Sequence, residues 1–403
     1  MDNNFLLDQF FDEYLKKSSI FKNREALSDS YIPEKIHHRE KEIKKIASVL
    51  APALKLERIS NLFIYGKTGT GKTLTVTYVL KHFAEKIKQM NLPIKIVQIN
   101  ARLKNLADTE YKLVSHIIKE IKQKQTAITG ISLEELYDKF FETIKPYKHL
   151  ILVIDEIDAV INKSGDSFLY NFLRSHYQTE TKISIIGISN DIFLMEKFDP
   201  RVKSSLFHEE LIFEPYNAIQ LIDILKERAK AAFNEGVIEE GVIEKIAAIS
   251  AQEHGDARRA INLLRLSGEI AEREESDKIT LEHVDKAIEE LEKNETIETI
   301  KSLPRQHQII LYSIISFLSK HKDKVAYTGV LYNFYENFVQ NHSLAKPVTP
   351  RRFSEILSEL DLMGLIKAEI NYLSGRGKTR FISLPLKQDV QEEIMKILKE
   401  EIF

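Results

Sequence analysis

The sequence contains no cysteine among its 403 residues. That absence excludes disulfides, thiolate zinc sites and cysteine nucleophiles together, and it fits a reducing interior. Nor does any apolar run approach the roughly 20 residues needed to cross a bilayer. The start of the chain, with Asp2, Asp8 and Asp12, does not read as a signal peptide. No membrane partner is expected, and a cytoplasmic location is. Net charge is nearly missing too, at −2, so the chain as a whole lacks the electrostatic footprint of a nucleic-acid binder. The charge is uneven, however. From residue 300 onward, 15 basic and 11 acidic side chains leave +4, and the remainder carries about −6. Internal repeats and low-complexity tracts are absent. The length exceeds what one ordinary core serves, so two or three domains are expected.

What is present begins with Gly66-Lys67-Thr68-Gly69-Thr70-Gly71-Lys72-Thr73, directly after the apolar run Asn61–Tyr65 and before the amphipathic stretch Leu74–Ile87. A strand, a glycine-rich loop and a helix in that order suit a nucleoside triphosphate. The glycines let backbone N–H groups curl around a phosphate without a Cβ clash. The loop ends at a helix N-terminus, where orphan donors and the dipole favour an anion. Lys72 is placed to reach the β- and γ-phosphates, and Thr73 to put its hydroxyl on Mg²⁺.

From Asn61 to Pro215, short apolar runs alternate with helical patterns: Leu62–Tyr65, Ile94–Ile99, Leu150–Ile154, Ser184–Ile188 and Leu211–Phe213. This alternation predicts an α/β fold with a largely parallel, buried sheet. From Asn217 to about Leu291 only the 3.6 period survives, which predicts a small helical domain. Ser302-Leu303-Pro304 reads as a hinge. Beyond it, helices are expected over Gln306–Ser319, from Thr328 to Val339, and from Thr349-Pro350 up to Gly364. Strands Ile366–Tyr372 and Thr379–Leu384 follow, joined through Ser374–Lys378. Three helices and a basic hairpin are the layout of a winged helix.

The run Leu150–Ile154 ends in Asp155-Glu156-Ile157-Asp158. Two carboxylates there would lie at the C-terminal edge of a parallel sheet, beside the phosphate loop. Asp155 would hold Mg²⁺ through water, and Glu156 would orient and deprotonate an attacking water. The next strand ends Ser189-Asn190-Asp191. Asn190 could hold the same water or be a turn residue. In Gly255-Asp256-Ala257-Arg258-Arg259-Ala260, arginines at a helix start oppose the dipole. A γ-phosphate would remove that conflict, and a solvated pair capped by Asp256 is the alternative. Arg201 could act on a neighbouring subunit's nucleotide or form a surface ion pair. Arg351 and Arg352 in the third helix's first turn, with Arg376, Lys378 and Arg380 on the hairpin, form a basic cluster suited to DNA phosphates and groove edges.

Together these features resemble AAA+ ATPases of the archaeal Orc/Cdc-type replication-initiator family over nearly the whole chain. Tyr31-Ile32-Pro33-Glu34-Lys35-Ile36-His37-His38-Arg39-Glu40 resembles that family's lead-in to the adenine pocket, which implies nucleotide contacts for Ile32 and Arg39. Gly66–Thr73 and Asp155–Asp158 resemble its Walker A and B motifs. By the same resemblance Asn190 is sensor 1, Arg258 in sensor 2 touches the γ-phosphate, and Arg201 is the candidate arginine finger. Asn100-Ala101-Arg102 opens the segment where initiators carry a DNA-touching insertion. The implied fold is a RecA-like core over residues 1–215, a helical lid over 216–300 and a winged helix over 301–403. The implied activity is slow conversion of ATP to ADP with Mg²⁺, used as a switch. The implied partners are double-stranded origin DNA, a minichromosome-maintenance-type helicase and a paralogous initiator, with the protein associated with the nucleoid. Two rivals stay open on the sequence: a signalling ATPase with an appended winged helix, and a non-enzymatic DNA-binding regulator plugged by ADP.

Overall fold

The structure is a computed structural model and describes residues 19–123, 130–174, 179–321, 326–342, 344, 346–373 and 377–403. It divides into two compact units, residues 1–284 and 285–403.

The first unit begins with α1 (Glu40–Leu50), β1 (Asn61–Gly66), α2 (Lys72–Gln89) and β2 (Ile94–Asn100). It continues through α3 (Glu110–Lys122), α4 (Leu133–Ile144), β3 (His149–Asp155), α5 (Ile157–Ser164) and α6 (Ser167–Leu173). Then come β4 (Lys182–Ser189), α7 (Pro200–Ser205) and β5 (His208–Phe213). The strands form one 5-stranded sheet in the order β2-β3-β4-β1-β5, and every pairing is parallel. β1 and β3 are buried along their whole length, as strands covered on both faces must be. Alternate residues serve the two faces. Phe63, Tyr65, Leu152 and Ile154 pack with Leu113, Ile117, Phe140 and Phe168 from α3, α4 and α6. Leu62, Ile64, Ile151 and Val153 pack with Ile46, Leu50, Val76 and Leu80 from α1 and α2.

Strand order decides where the chemistry lies. β1 sits between β4 and β5, with Tyr65 paired to Ser189, and β4 lies beside β3, with Asp155 paired to Ile188. The loop after β1, the acids ending β3 and the asparagine after β4 therefore share one sheet edge. β5 is longer than the run Leu211–Phe213 indicates. It starts at His208 and includes Glu209 and Glu210, because one side of an edge strand faces water and tolerates charge.

His149 at the start of β3 is fully buried, with Nε2 3.0 Å from Ser184 Oγ. Burial pushes its imidazole down to about 4, aided by Lys182 and Arg58. The unfolded chain therefore binds a proton that the folded one refuses between pH 6.5 and 4. Stability from this group is complete above pH 6.5 and is lost as pH falls through that window, up to about 3 kcal/mol. Thermal unfolding of the full chain from pH 8 to 5 should steepen below 6.5, and His149→Gln should flatten that dependence.

After β5 the first unit is helical: α8 (Ala218–Ala232), α9 (Val242–Gln252) and α10 (Ala257–Arg273). Asn217 and Gln220 close a capping box at the start of α8. Among the described residues of this stretch no strand occurs, and the isolated bridges are Phe21–Phe233 and Ile238–Ile279. The division into units falls inside α11 (Leu281–Ser302), and a break follows at Leu303-Pro304.

The second unit holds α12 (Arg305–Lys320), α13 (Thr328–His342), α14 (Pro350–Leu362) and the antiparallel pair β6 (Lys367–Leu373) and β7 (Gly377–Ser383). Thr349 caps α14 by accepting from the Arg352 N–H, and Pro350 takes the first helical position. A further helix, α15 (Gln388–Ile402), buries Ile394, Leu398 and Ile402 in this unit's core. The three-helix expectation missed it, although its i, i+4, i+8 spacing carries the helical period. Among the described residues no helix is long and apolar enough to cross a membrane.

Candidate functional site

The loop after β1 is shaped by glycine. Gly71, the N-cap of α2, has φ 86°, and Gly69 has φ 71°. Both lie in the left-handed region that side chains resist. A Cβ on Gly69 would come within 1.7 Å of Asp256 Oδ1, and one on Gly71 within 2.7 Å of Tyr216 Oη. The Gly69 carbonyl accepts from the Ala257 N–H at 3.1 Å, so the first turn of α10 docks on the loop. Asp256 caps that turn through the Arg258 and Arg259 N–H groups. Gly69→Ala should therefore displace the cap and strain the loop, at about 2 kcal/mol. Faster amide exchange at Ala257 and a lower unfolding temperature would report it.

Lys72 is buried and folded back over the loop. Its Nζ donates to Gly66 O, Lys67 O and Asn190 Oδ1, each at 2.8 Å. Burial is the main cause that lowers its ammonium to about 8; Arg258 acts in the same direction and Asp155 opposes it. Thr70 Oγ1 donates to Lys67 O at 2.8 Å. Thr73 Oγ1 donates to Asp155 Oδ2 at 2.9 Å. Burial raises the Asp155 carboxyl above the usual range, although the Thr73 bond pulls the other way. Glu156 takes the left-handed region with φ 57° and donates its N–H to Asp155 Oδ1 at 3.0 Å. Its carboxylate pairs with Arg102 Nε at 2.5 Å.

Thr70, Lys72, Thr73, Asp155, Glu156 and Asn190 line one cavity of about 410 Å³. Of the residues singled out in the sequence, Ile32, Thr68, Gly69, Thr70, Gly71, Lys72, Thr73, Asp155, Glu156, Asn190 and Arg258 face it. Its lining includes the apolar side chains of Ile32, Pro33, Ile36, Ile224 and Ile261, which suit a flat base. Two residues expected at the nucleotide are placed elsewhere, and Arg201 takes the surface pairing that was one of its two expected forms. Gly66 is not among the lining residues, and Gly66 O is held by Lys72. Arg39 is also absent from the lining and is buried behind the loop, bonded to Thr70 O and Glu214 O. Arg201 is 84 % exposed and forms a surface ion pair with Asp199 at 3.8 Å. Sequence reasoning missed Tyr216, Glu227 and Arg228, which also line the cavity. Arg228 is buried and donates to Ala26 O and Tyr31 O at 2.9 and 3.2 Å, which pins the lead-in against α8. An arginine within one more amphipathic helix carries no linear signal of that contact.

In the second unit the basic cluster is partly engaged. Arg351 is 91 % exposed and pairs with Glu355 at 3.2 Å. Arg352 Nη1 binds Glu355 and Glu359 at 3.2 and 2.9 Å. Arg380 does not project freely from the hairpin: its Nη1 donates to Ser358 Oγ at 2.6 Å, on α14. Lys378 lies in β7 opposite Tyr372. Arg376 lies outside the described residues.

Comparison with known proteins adds the following. The family described as "ATPase family associated with various cellular activities (AAA)" matches residues 62–215. The "Cdc6 AAA+ ATPase-type lid domain" matches residues 222–289, and the "CDC6, C terminal winged helix domain" residues 298–394. An ORC1-type DNA replication protein of Thermococcus onnurineus is 42% identical over 389 residues, 95% of this chain and 92% of that protein. ORC1-type DNA replication protein 1 of Methanosarcina acetivorans is 42% identical over 398 residues, 98% of this chain and 94% of its own length. The Aeropyrum pernix ORC1 protein, solved in complex with DNA, is 37% identical with a TM-score of 0.76, covering 96% of this chain and 98% of that one.

Proposed function

The chain belongs to the family of ORC1-type DNA replication proteins, with an AAA+ core, a Cdc6-type lid and a winged helix, and on that premise we propose that it is an ATP-regulated initiator that binds origin DNA and helps recruit or load the replicative helicase. Family membership supports ATPase activity. In the proposal that activity is slow and works as a switch, the core spans residues 1–215, the lid 216–300 and the winged helix 301–403, and the protein acts in the cytoplasm on the nucleoid.

The observation that carries this reading is the convergence at the loop. Lys72 binds loop carbonyls and Asn190, Thr73 binds Asp155, and the Ala257 N–H binds Gly69 O, all around one cavity. In the proposal, loop N–H groups and Lys72 bind the phosphates, while Ile32, Ile224 and Ile261 enclose the base. Thr73 and Asp155 offer the hard oxygens that suit Mg²⁺. No group of three or more His, Cys, Asp or Glu side chains that could hold a metal occurs among the described residues. The donor set thus fits an ion that draws most of its ligands from phosphate and water. An ion held by Thr73 and Asp155 would supply positive charge against the phosphates. Glu156 accepts the proton of the attacking water, Asn190 orients that water, and Arg258 meets the γ-phosphate from the lid. The Arg102–Glu156 pair must open first, which is in keeping with slow turnover. Arg201 would serve only a nucleotide on a neighbouring copy or a paralogous initiator.

For DNA, the proposal assigns phosphate and groove contacts to Arg351, Arg352, Arg376, Lys378, Arg380 and Arg102. Arg352 must exchange carboxylates for phosphates when it does so. The test is calorimetric titration of ATP and ADP with Mg²⁺ into the full chain, followed by phosphate release in single turnover. Micromolar or tighter binding with slow release is the expected result, and absence of nucleotide binding would end the proposal.

A further inference from the structure

Arg39 is 4 % exposed, and among the described residues the carboxylate in hydrogen-bond contact with its guanidinium is Glu42, with Oε1 at 3.4 Å. Its Nε and Nη2 donate to the Thr70 carbonyl at 3.1 and 2.9 Å, and Nη2 also donates to Glu214 O at 2.7 Å. The guanidinium carbon lies 3.9 Å from the centre of the Tyr216 ring. Burying a cation among backbone carbonyls costs desolvation, so those carbonyls need a donor that water does not supply.

The reason lies in the peptide that joins Thr70 to Gly71. A trans peptide points its C=O and N–H in opposite directions. A loop that wraps an anion with N–H groups must therefore turn its carbonyls outward, where each needs a partner. Lys72 serves Gly66 O and Lys67 O, and Thr70 Oγ1 also serves Lys67 O. Arg39 serves Thr70 O through two N–H groups, which fixes the Gly71 N–H on the opposite side of that peptide. Gly71 lines the cavity and Arg39 does not. The same guanidinium grips Glu214 and stacks on Tyr216, in the segment that runs from β5 to α8, and Tyr216 itself lines the cavity.

We infer that Arg39 is a positioning residue: it holds the Thr70–Gly71 peptide so that the loop's N–H groups face the β-phosphate, and it touches no part of the nucleotide. The inference rests on the reading of this cavity as a nucleotide site.

Full-length Arg39→Lys and Arg39→Ala are compared with the unaltered chain. ADP and AMP each compete against a fluorescent ADP analogue, and thermal unfolding is followed in parallel. Arg39→Lys keeps a buried cation but lacks the fork that spans both carbonyls. It should weaken ADP about tenfold, Arg39→Ala by more, while AMP, which lacks the β-phosphate, stays within about twofold. Equal weakening of ADP and AMP, or no weakening of either, would overturn the inference. Failure of both variants to fold would overturn it too, because Arg39 would then serve the fold and not the loop. If the unaltered chain does not bind ADP, it is the proposed function that fails.

Discussion

Replacing Lys72 by Ala should weaken ATP and ADP binding about a hundredfold or more while leaving the chain folded. The ammonium is the one loop cation bonded to Gly66 O, Lys67 O and Asn190 Oδ1 at once, at the floor of the cavity. An incoming phosphate takes over those donors, and charge-assisted bonds are worth roughly 1.5–3 kcal/mol each. Two of them correspond to a loss of about two to four decades in affinity. Two effects on the fold oppose each other: Gly66 O and Lys67 O lose the Lys72 donor, although Thr70 Oγ1 still serves Lys67 O. Burial already pulls Lys72 down to about 8, so the charge is held against a desolvation cost that alanine removes. Competition against a fluorescent ADP analogue gives the affinity, and the unfolding temperature controls for folding. Unchanged ATP affinity would refute the phosphate-loop reading.

Glu156→Gln should slow hydrolysis about a hundredfold or more, with ATP affinity changed by less than about threefold. Glutamine keeps the shape at the end of β3 and the backbone N–H bond to Asp155 Oδ1, but it cannot take a proton from water. It also loses the ion pair with Arg102. Arg102→Ala separates the two effects, because it breaks the pair and leaves the base in place. Its turnover should not fall. Single-turnover phosphate release on both variants decides the matter, and a Glu156→Gln chain that hydrolyses at the unaltered rate would remove Glu156 from the chemistry.

Much of the site was legible because its signals are local. Glycine spacing, a strand before and a helix after placed Gly66–Thr73, and an apolar run ending in acids placed Asp155 and Glu156. Asn190 gained meaning only from strand order, with β4 between β3 and β1. Arg39 was misplaced because a linear motif does not say which side of a loop a neighbouring side chain approaches. It reaches Thr70 O and does not line the cavity. The arginines of the second unit looked free in sequence. Arg352 instead meets Glu359 seven positions on, along its own helix, and Arg380 meets Ser358 across the fold. Arg102 and Glu156 follow different strands, and only the β2–β3 pairing, Asn100 to Asp155, brings them together. Long-range pairing of this kind has no one-dimensional period to reveal it.

In the proposed function nucleotide state governs how this chain meets DNA, and footprinting of the full chain on the organism's own replication origins is the decisive measurement. Unaltered protein and Lys72→Ala would be compared with ATP, with ADP and without nucleotide, at a fixed salt concentration because phosphate contacts are salt-dependent. Protection of discrete repeats is expected, its extent differing between ATP and ADP, with that difference lost in Lys72→Ala. Protection identical in all three nucleotide conditions, or no preference for origin sequence, would contradict it.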